Sequence, residues 1–204
     1  MKPLLLTLTA LLLGVAPYVV SGQTVQATPL SANLPKACWP ESLLTGKDTA
    51  WLYVPCRSLE VLHPVVREQV ECMLARQRKG KWPPLVQETR RSKPLQDRYY
   101  QQGRTRPGPR ITNVKDVATG MHGYGLAADV ISATKGWNDP KFFYWQAQHA
   151  ESCGLVAGAF WKKFPDAPHV QYAGWGNSPP LWARGLLRQD SLPAIWRTIY
   201  PPTP

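Results

Sequence analysis

The stretch HGYGLAAD, residues 122–129, constrains the fold more than any other part of this chain. On a strand, side chains seven positions apart point to opposite faces, and in a helix each internal glycine costs about 1 kcal/mol relative to alanine. The remaining arrangement is a corner, in which Gly123 and Gly125 form turns and a strand follows. Such a corner brings His122 and Asp129 to one point, where an imidazole and a carboxylate suit zinc. A surface histidine and a strand aspartate around a tight turn are the alternative for this motif taken alone.

The residues DAPH, which end at His169, would complete a metal site. Pro168 holds the chain extended before His169, which with His122 and Asp129 gives two histidines and one carboxylate for one Zn²⁺. Water would occupy the fourth position, and zinc lowers the pKa of such a water towards about 7. Asp166 would accept a proton from that water as it attacks a carbonyl. Taken singly, His169 is also explained as a strand histidine and Asp166 as a turn residue.

The four cysteines and the two remaining histidines could in principle bind metals, but we predict structural roles for them. Four cysteines in an exported chain predict two disulfides, and no CxxC pair indicates a cysteine zinc site. Three pairings are possible, and we favour Cys38–Cys56 with Cys72–Cys153. His63 precedes a proline and is expected to cap or pack, and His149 is expected on a helix face.

The first 22 residues, MKPLLLTLTALLLGVAPYVVSG, predict a secretory signal peptide. One lysine precedes an apolar run over residues 4–20, and small residues follow, which indicates cleavage near Gly22 or Ala27. An uncleaved membrane anchor is the alternative, and Gly14 and Pro17 weaken a spanning helix. We therefore expect a periplasmic or secreted protein without a stable membrane span once this segment is removed.

The chain is strongly basic, with a formal net charge of +11, of which the predicted signal peptide holds only Lys2. Such a charge on an exported protein indicates an anionic partner such as the cell envelope, or serves solubility alone. The lysines and arginines are scattered, and no nucleic-acid-binding motif is present, so no nucleic-acid partner is expected.

Periodicity and turn signals predict helices and short strands in mixed order, which indicates an α+β fold. The 204 residues suffice for one domain with a hydrophobic core. We expect a polar linker at residues 23–36 and a Pro-rich C-terminal extension packed on the domain. The predicted elements are a helix opened by Pro64 and stopped at Gly80, strands at 85–88, 124–132 and 170–172, helices at 93–102 and 144–153, and a short helix near Ile195.

HxxGxAxD followed by DxxH resembles a family of zinc peptidases of the bacterial cell wall. The family comprises VanY-like D-Ala-D-Ala carboxypeptidases and L-alanyl-D-glutamate endopeptidases. The resemblance extends to LHPVVREQVECMLA (62–75), ETRRSKPLQDRYYQQGRTRPGPRITN (88–113) and WKKFPDAPH (161–169), and covers roughly residues 62–172. It implies a small antiparallel sheet flanked by helices, the fold that Hedgehog domains also resemble. The zinc peptidase domain would span residues 37–180, and residues 181–204 would form the C-terminal extension.

The resemblance also implies roles for individual residues. One Zn²⁺ would be held by His122, Asp129 and His169, and Asp166 would be the catalytic acid and base. Arg91 matches the family's Arg-Ser motif, in which the arginine faces the substrate and stabilises its carbonyl or carboxylate. A fixed cation beside zinc would stabilise an oxyanion in this way, whereas a solvated cation at the start of a helix is the alternative. The implied substrates are peptidoglycan stem peptides, and we expect a monomer.

The sequence departs from the family pattern around the ligands. Gly120 stands where the family usually has serine, AGA at 157–159 replaces Trp-Gly-Gly, Phe160 replaces a common acidic residue, and Val170 replaces phenylalanine. These changes affect the substrate subsites more than the metal ligands. An aspartate in DxxH resembles the endopeptidases more than the carboxypeptidases, which commonly use glutamate. The alternative functions are a non-catalytic zinc-containing cell-wall-binding module on the same fold, and a disulfide-stabilised basic adhesin or inhibitor.

Overall fold

The computed structural model describes residue 38 and residues 50–80, 82–189 and 192–199. The predicted signal peptide and linker lie outside the described residues. The described helices are α1 Pro64–Arg78, α2 Lys93–Gln101, α3 Pro140–Ser152, α4 Leu181–Leu187 and α5 Leu192–Ile199. The strands are β1 Pro84–Glu88, β2 Ala127–Ser132, β3 Leu155–Ala157 and β4 His169–Tyr172. Across these ranges, every helix is too short or too polar to cross a membrane.

The four strands form one antiparallel sheet in the order β1-β2-β4-β3. The predicted fold class, a small antiparallel sheet flanked by helices, is therefore confirmed. A register shift between Val86 and Glu88 sets Glu88 opposite Asp129, and Asp129 lies opposite His169 on β4. Residues directly opposite each other on paired strands share a face of the sheet. Glu88, Asp129 and His169 therefore form a row across three neighbouring strands.

Helix α1 provides one wall of the hydrophobic core. Val66, Val70 and Met73 recur at helical spacing and are all buried. The helix begins as expected, with Pro64 in its first turn and the His63 side chain accepting a hydrogen bond from the backbone N–H of Val65. The two favoured disulfide pairings are confirmed: Cys72–Cys153 joins α1 to the end of α3, and Cys38 pairs with Cys56.

Some element boundaries differ from the sequence prediction. Helix α3 begins at Pro140, four residues earlier than predicted, because Asp139 caps it by accepting the N–H of Phe142. Strand β2 begins at Ala127, since residues 121–124 form a 3-10 turn. Strand β3 and helix α4 were not predicted. Three residues are too few to show a period of two, and the prolines beside α4 indicated an irregular segment.

The C-terminal helix α5 packs its apolar side into the core, and it is the short helix predicted near Ile195. Leu192, Ile195 and Trp196 are buried in the same cluster as the residues of α1. The indole N–H of Trp196 donates to the backbone carbonyl of Tyr124 at 2.7 Å. Because Tyr124 follows His122 by two residues, this contact supports the turn that presents His122.

Candidate metal centre

The turn at residues 121–124 presents His122 towards the centre of the sheet. Gly125 ends this turn in the left-handed region, with φ of +66°, and a Cβ there would lie 2.5 Å from the carbonyl oxygen of Val61. Gly123 is required for a different reason, because a Cβ would lie 2.6 Å from the carbonyl oxygen of Val117. The predicted corner is therefore present, but only Gly125 needs a positive φ. At Gly123 the constraint is close backbone approach.

The structure brings His122, Asp129 and His169 together, as predicted from the sequence. Asp129 Oδ1 lies 3.2 Å from His122 Nε2 and 3.1 Å from His169 Nδ1, and the two nitrogens are 3.2 Å apart. Tetrahedral zinc with bonds of about 2.0–2.1 Å separates its ligand atoms by about 3.3 Å. The three atoms therefore form a triangle that fits one face of such a tetrahedron.

Both histidines are held with a lone pair directed into this triangle. His122 Nδ1 lies 2.6 Å from the backbone carbonyl oxygen of Thr89, so that nitrogen carries the proton and Nε2 does not. His169 Nε2 donates to Gln171 Oε1 at 2.9 Å. The amide of Gln171 is itself oriented, because its Nε2 donates to the Gly176 carbonyl at 2.6 Å. Two imidazole lone pairs and a carboxylate oxygen thus converge, which is the arrangement that a bound cation requires.

The electrostatics of the cluster favour a positive charge between these atoms. Burial by itself would raise the pKa of Asp129, but hydrogen bonds and positive charge from His122 and His169, in the state where a proton takes the place of a metal ion between them, hold that pKa well below its usual range. Burial would lower the pKa of His169, yet its hydrogen bond to Asp129 raises it. The carboxylate therefore stays ionised, and a proton or a metal ion completes the triangle.

Arg91 lies behind the cluster with its guanidinium engaged by protein groups. Its Nε and Nη2 donate to the two carboxylate oxygens of Glu88 at 2.8 Å, and its Nη1 donates to Gln96 Oε1 at 2.9 Å. Nη2 also lies 3.5 Å from Asp129 Oδ2. Burial by itself would lower the pKa of Arg91. The hydrogen bonds to Glu88 and the negative charges of Glu88 and Asp129 outweigh burial and raise the pKa above its usual value, so the arginine remains charged. Direct contact of Arg91 with substrate remains a prediction.

Asp166 lies at the edge of the cluster and is not part of the triangle. Its backbone N–H donates to Gly158 at 3.0 Å, and its carbonyl accepts from the N–H of His169 at 3.2 Å. A Cβ on Gly158 would lie 2.5 Å from the Asp166 carbonyl oxygen, so this glycine permits the close approach. The residue as a whole is exposed, but protein around its carboxylate displaces water and raises the pKa of Asp166. The negative charge of Asp129 raises this pKa as well, and the nearby His169 acts in the opposite direction.

The sequence prediction missed several residues that hold the candidate ligands in place. Thr89 and Gln171 fix the tautomers of the two histidines, and Glu88 fixes Arg91. The spacing of Glu88 three residues before Arg91 and of Gln171 two residues after His169 was visible, but their partners depend on strand register. Trp161, whose ring centroid lies 5.2 Å from that of His169, covers one side of the cluster.

Fold and site together define a small α+β protein with a buried site of two histidines and one carboxylate. No family model matches the chain. Over 122 residues the chain is 29% identical to the peptidoglycan L-alanyl-D-glutamate endopeptidase CwlK of Bacillus subtilis, covering 54% of this chain and 72% of that relative. The resemblance to the VanY-like carboxypeptidase and L-alanyl-D-glutamate endopeptidase family is thereby confirmed.

Two solved structures are similar to part of the chain at lower sequence identity. The L-Ala D-Glu endopeptidase ChiX of Serratia marcescens is 19% identical with a TM-score of 0.45, over 59% of this chain and 91% of that one. The D,D-pentapeptidase VanY of a VanB-type resistance cassette, a point mutant in complex with Zn(II), is 13% identical with a TM-score of 0.44, over 66% of this chain and 83% of that one.

Proposed function

We propose that the chain is an exported zinc metallopeptidase that hydrolyses peptide bonds in peptidoglycan stem peptides. The single observation that carries the proposal is the triangle of two imidazole lone pairs and the Asp129 carboxylate, with sides of 3.1–3.2 Å. The named activity of its Bacillus subtilis relative, peptidoglycan L-alanyl-D-glutamate endopeptidase, supplies the substrate class. A non-catalytic wall-binding module would not need the carboxylate of Asp166 beside the metal site.

The residues present fit one Zn²⁺, with His122 Nε2, Asp129 Oδ1 and His169 Nδ1 as its ligands. When bound, zinc polarises the peptide carbonyl and activates water as the nucleophile. The chain contributes the orientation of these ligands. Thr89 and Gln171 hold the outer nitrogens of the histidines, which keeps both lone pairs directed inwards.

Asp166 is the proposed general acid and base. Its raised pKa makes the carboxylate a better proton acceptor than an ordinary aspartate at neutral pH. It would take a proton from the attacking water and return it to the nitrogen of the departing amine. The Gly158 contact and the backbone hydrogen bond to His169 hold this residue at a fixed distance from the ligands.

Arg91 is proposed as a positioning residue for Asp129. Its charge, held in place by Glu88, lies beside the oxygen of Asp129 that does not face the two histidines. This arrangement leaves Asp129 Oδ1 directed into the triangle. Stabilisation of the substrate carbonyl by the same guanidinium is the second role proposed for it.

The proposed location is the periplasm or the medium outside the cell. Two disulfides agree with an oxidising compartment, and the basic surface with an anionic envelope. We propose that residues 1–22 are a cleaved signal peptide, residues 23–36 a linker, residues 37–180 the peptidase domain and residues 181–204 its extension. A monomer suffices for this chemistry, since all proposed catalytic residues come from one chain.

Digestion of stem peptides, followed by mass spectrometry, tests this function. The purified protein is incubated with peptidoglycan fragments ending in D-Ala-D-Ala, with zinc or with a chelator. We expect a new D-Glu amino terminus that the chelator abolishes, whereas loss of one terminal alanine would identify a carboxypeptidase. Asp166→Asn should bind zinc and lose cleavage, and Asp97→Asn, an exposed aspartate paired with Lys93, serves as the matched control. A zinc-loaded protein that cleaves nothing would instead be a binding module.

A further inference from the structure

An aromatic groove of about 570 Å³ lies beside the candidate metal centre. Three of its lining rings are exposed: Trp137 by 55%, Tyr144 by 52% and Phe160 by 43%. We call the surface lined by these three residues, and by Ala159 and Ala167, the aromatic groove. Among its described lining residues none is charged, although the chain as a whole carries +11. Exposed aromatic rings that line a concave surface are a common feature of binding sites.

The groove is continuous with the proposed catalytic residues. Ala167 directly follows Asp166, and Ala159 directly follows Gly158, the glycine that contacts Asp166. Helix α3, which carries Tyr144, is tied to the same segment, because Gln146 Nε2 donates to the backbone carbonyl of Pro168 at 2.8 Å. A ligand in the groove would therefore lie at a fixed position relative to Asp166.

We propose that this groove binds a sugar ring of the peptidoglycan glycan strand, an inference that rests on the proposed function. A pyranose ring is uncharged, has an apolar face of C–H groups that stacks on an aromatic ring, and carries hydroxyl groups at its edge. A charged peptide or a phosphate would find no counter-charge among the lining residues. Trp137 and Tyr144 also carry an N–H and an O–H that can form hydrogen bonds with such hydroxyl groups.

The covalent structure of the substrate explains why a sugar site would adjoin the catalytic residues. The stem peptide is joined through its first residue to the lactyl group of the muramyl sugar, so only that short group and one residue separate the sugar ring from the L-Ala–D-Glu bond. One extended residue spans at most about 3.6 Å, whereas the terminal D-Ala–D-Ala bond is about four residues, or roughly 14 Å, from the sugar. A sugar site next to Asp166 thus matches the first bond and not the last.

The test compares two substrates that differ only in the sugar. The ratio of kcat/KM for a muramyl pentapeptide to that for the N-lactyl pentapeptide, which has the same amide at its amino end but no sugar, is measured for each variant. We expect the wild type to prefer the muramyl substrate about tenfold, and Trp137→Ala and Tyr144→Ala to lower the ratio towards one. Trp137→Phe and Tyr144→Phe keep a ring and should retain most of the preference. Trp182→Ala, which removes an exposed tryptophan outside the groove, should keep the wild-type ratio.

A second measurement separates this inference from the proposed function. Binding of the N-acetylglucosaminyl-N-acetylmuramyl disaccharide, which has no peptide and whose lactyl group is capped as an uncharged methylamide, is followed by ligand-observed NMR. Binding that is lost in Trp137→Ala and kept in Trp182→Ala supports the sugar site, even if neither peptide is cleaved and the peptidase proposal fails. Cleavage of both substrates at equal rates, with no disaccharide binding, would overturn the sugar site and leave the peptidase proposal intact.

Discussion

Asp129 lies directly opposite His169 in the pairing of β2 with β4, and Asp129 Oδ1 is 3.1 Å from His169 Nδ1. This contact is a consequence of sheet register. A slip of one strand by one residue would turn its side chain to the other face of the sheet and separate the two candidate ligands. The pairing of β1 with β2 places Glu88 opposite Asp129, so one row across the sheet carries two candidate ligands and the carboxylate that holds Arg91.

Zinc should stabilise the protein by joining His122 to Asp129 and His169. Because the ligands converge only in the folded chain, a free zinc concentration about 1,000 times the dissociation constant adds about 4 kcal/mol, on the order of 10 °C in the melting temperature. Thermal unfolding with and without zinc measures the shift. Asp129→Asn should abolish the zinc-dependent shift, while Asp116→Asn, in an exposed ion pair with Arg188, should retain it. An equal shift in both variants would place the zinc elsewhere.

Gln171 should matter for zinc affinity although it would not touch the metal. Its Oε1 accepts the proton on His169 Nε2, and without that acceptor the imidazole is free to turn or change tautomer. Loss of such an outer partner typically lowers metal affinity about 10- to 100-fold. Isothermal titration with zinc measures the change in Gln171→Ala, and Gln101→Ala, at an exposed position, is the matched control. Equal affinities for the two variants would remove Gln171 from the site.

The residues with ligand chemistry were predictable from local sequence, whereas their supporting partners were not. The corner at Gly125 and the extended chain before His169 follow from backbone rules that act over a few residues. The Gln171 and Glu88 contacts depend instead on which strands pair and on a register shift in β1. Sequence spacing therefore identified the three residues that converge. The tautomers and the buried ion pair behind them required the folded sheet.

The same distinction applies to the secondary structure. Helix α1 was predicted because a proline and a helical apolar period occur together. The true start of α3 was also marked in the sequence, by Asp139 before Pro140, but the aromatic residues that follow obscured it. Strand β3 has only three residues, and pairing with β4 stabilises it more than its own pattern does.

Removing one partner of the buried Arg91–Glu88 pair should destabilise the protein much more than removing both. Glu88 is only 3% exposed, so Arg91→Ala leaves a buried carboxylate without its partner and should cost about 3–5 kcal/mol. The double variant Arg91→Met with Glu88→Gln removes both charges and should recover most of that loss. Urea unfolding measures these free energies. Lys93→Ala breaks an exposed pair with Asp97 and should cost less than about 1 kcal/mol.

Activity of the double variant separates the two roles proposed for Arg91. If Arg91 only positions Asp129, the zinc affinity of the double variant should lie within about tenfold of the wild-type affinity. Its activity should then fall only as far as the occupancy of the site by zinc falls. If the guanidinium also stabilises the substrate carbonyl, kcat at saturating zinc should fall by about 100-fold or more. Wild-type kcat at full zinc occupancy would exclude the carbonyl role.

His63 should make stability depend on pH below neutrality. Its side chain is fully buried, with Nδ1 accepting the N–H of Val65 and Nε2 3.2 Å from the carbonyl oxygen of Trp196. Burial lowers its pKa to about 4, against the smaller opposing effect of the Trp196 hydrogen bond. The unfolded chain, with an ordinary histidine pKa of about 6.5, binds a proton at a higher pH than the folded chain does. The stability that His63 contributes is therefore fully present above pH 6.5 and is lost as the pH falls towards 4.

The size of this effect follows from the separation of the two pKa values. A difference of about 2.5 pH units corresponds to about 3 kcal/mol, lost between about pH 6.5 and about pH 4. Urea unfolding at a series of pH values, in the presence of chelator, compares the wild type with His63→Asn, which keeps a capping oxygen but does not titrate. The variant should be less stable at about pH 7 because it fills less of the site, and its stability should fall less on acidification. Parallel pH profiles for the two proteins would show that His63 does not control the acid sensitivity, since all other titrating groups are common to both.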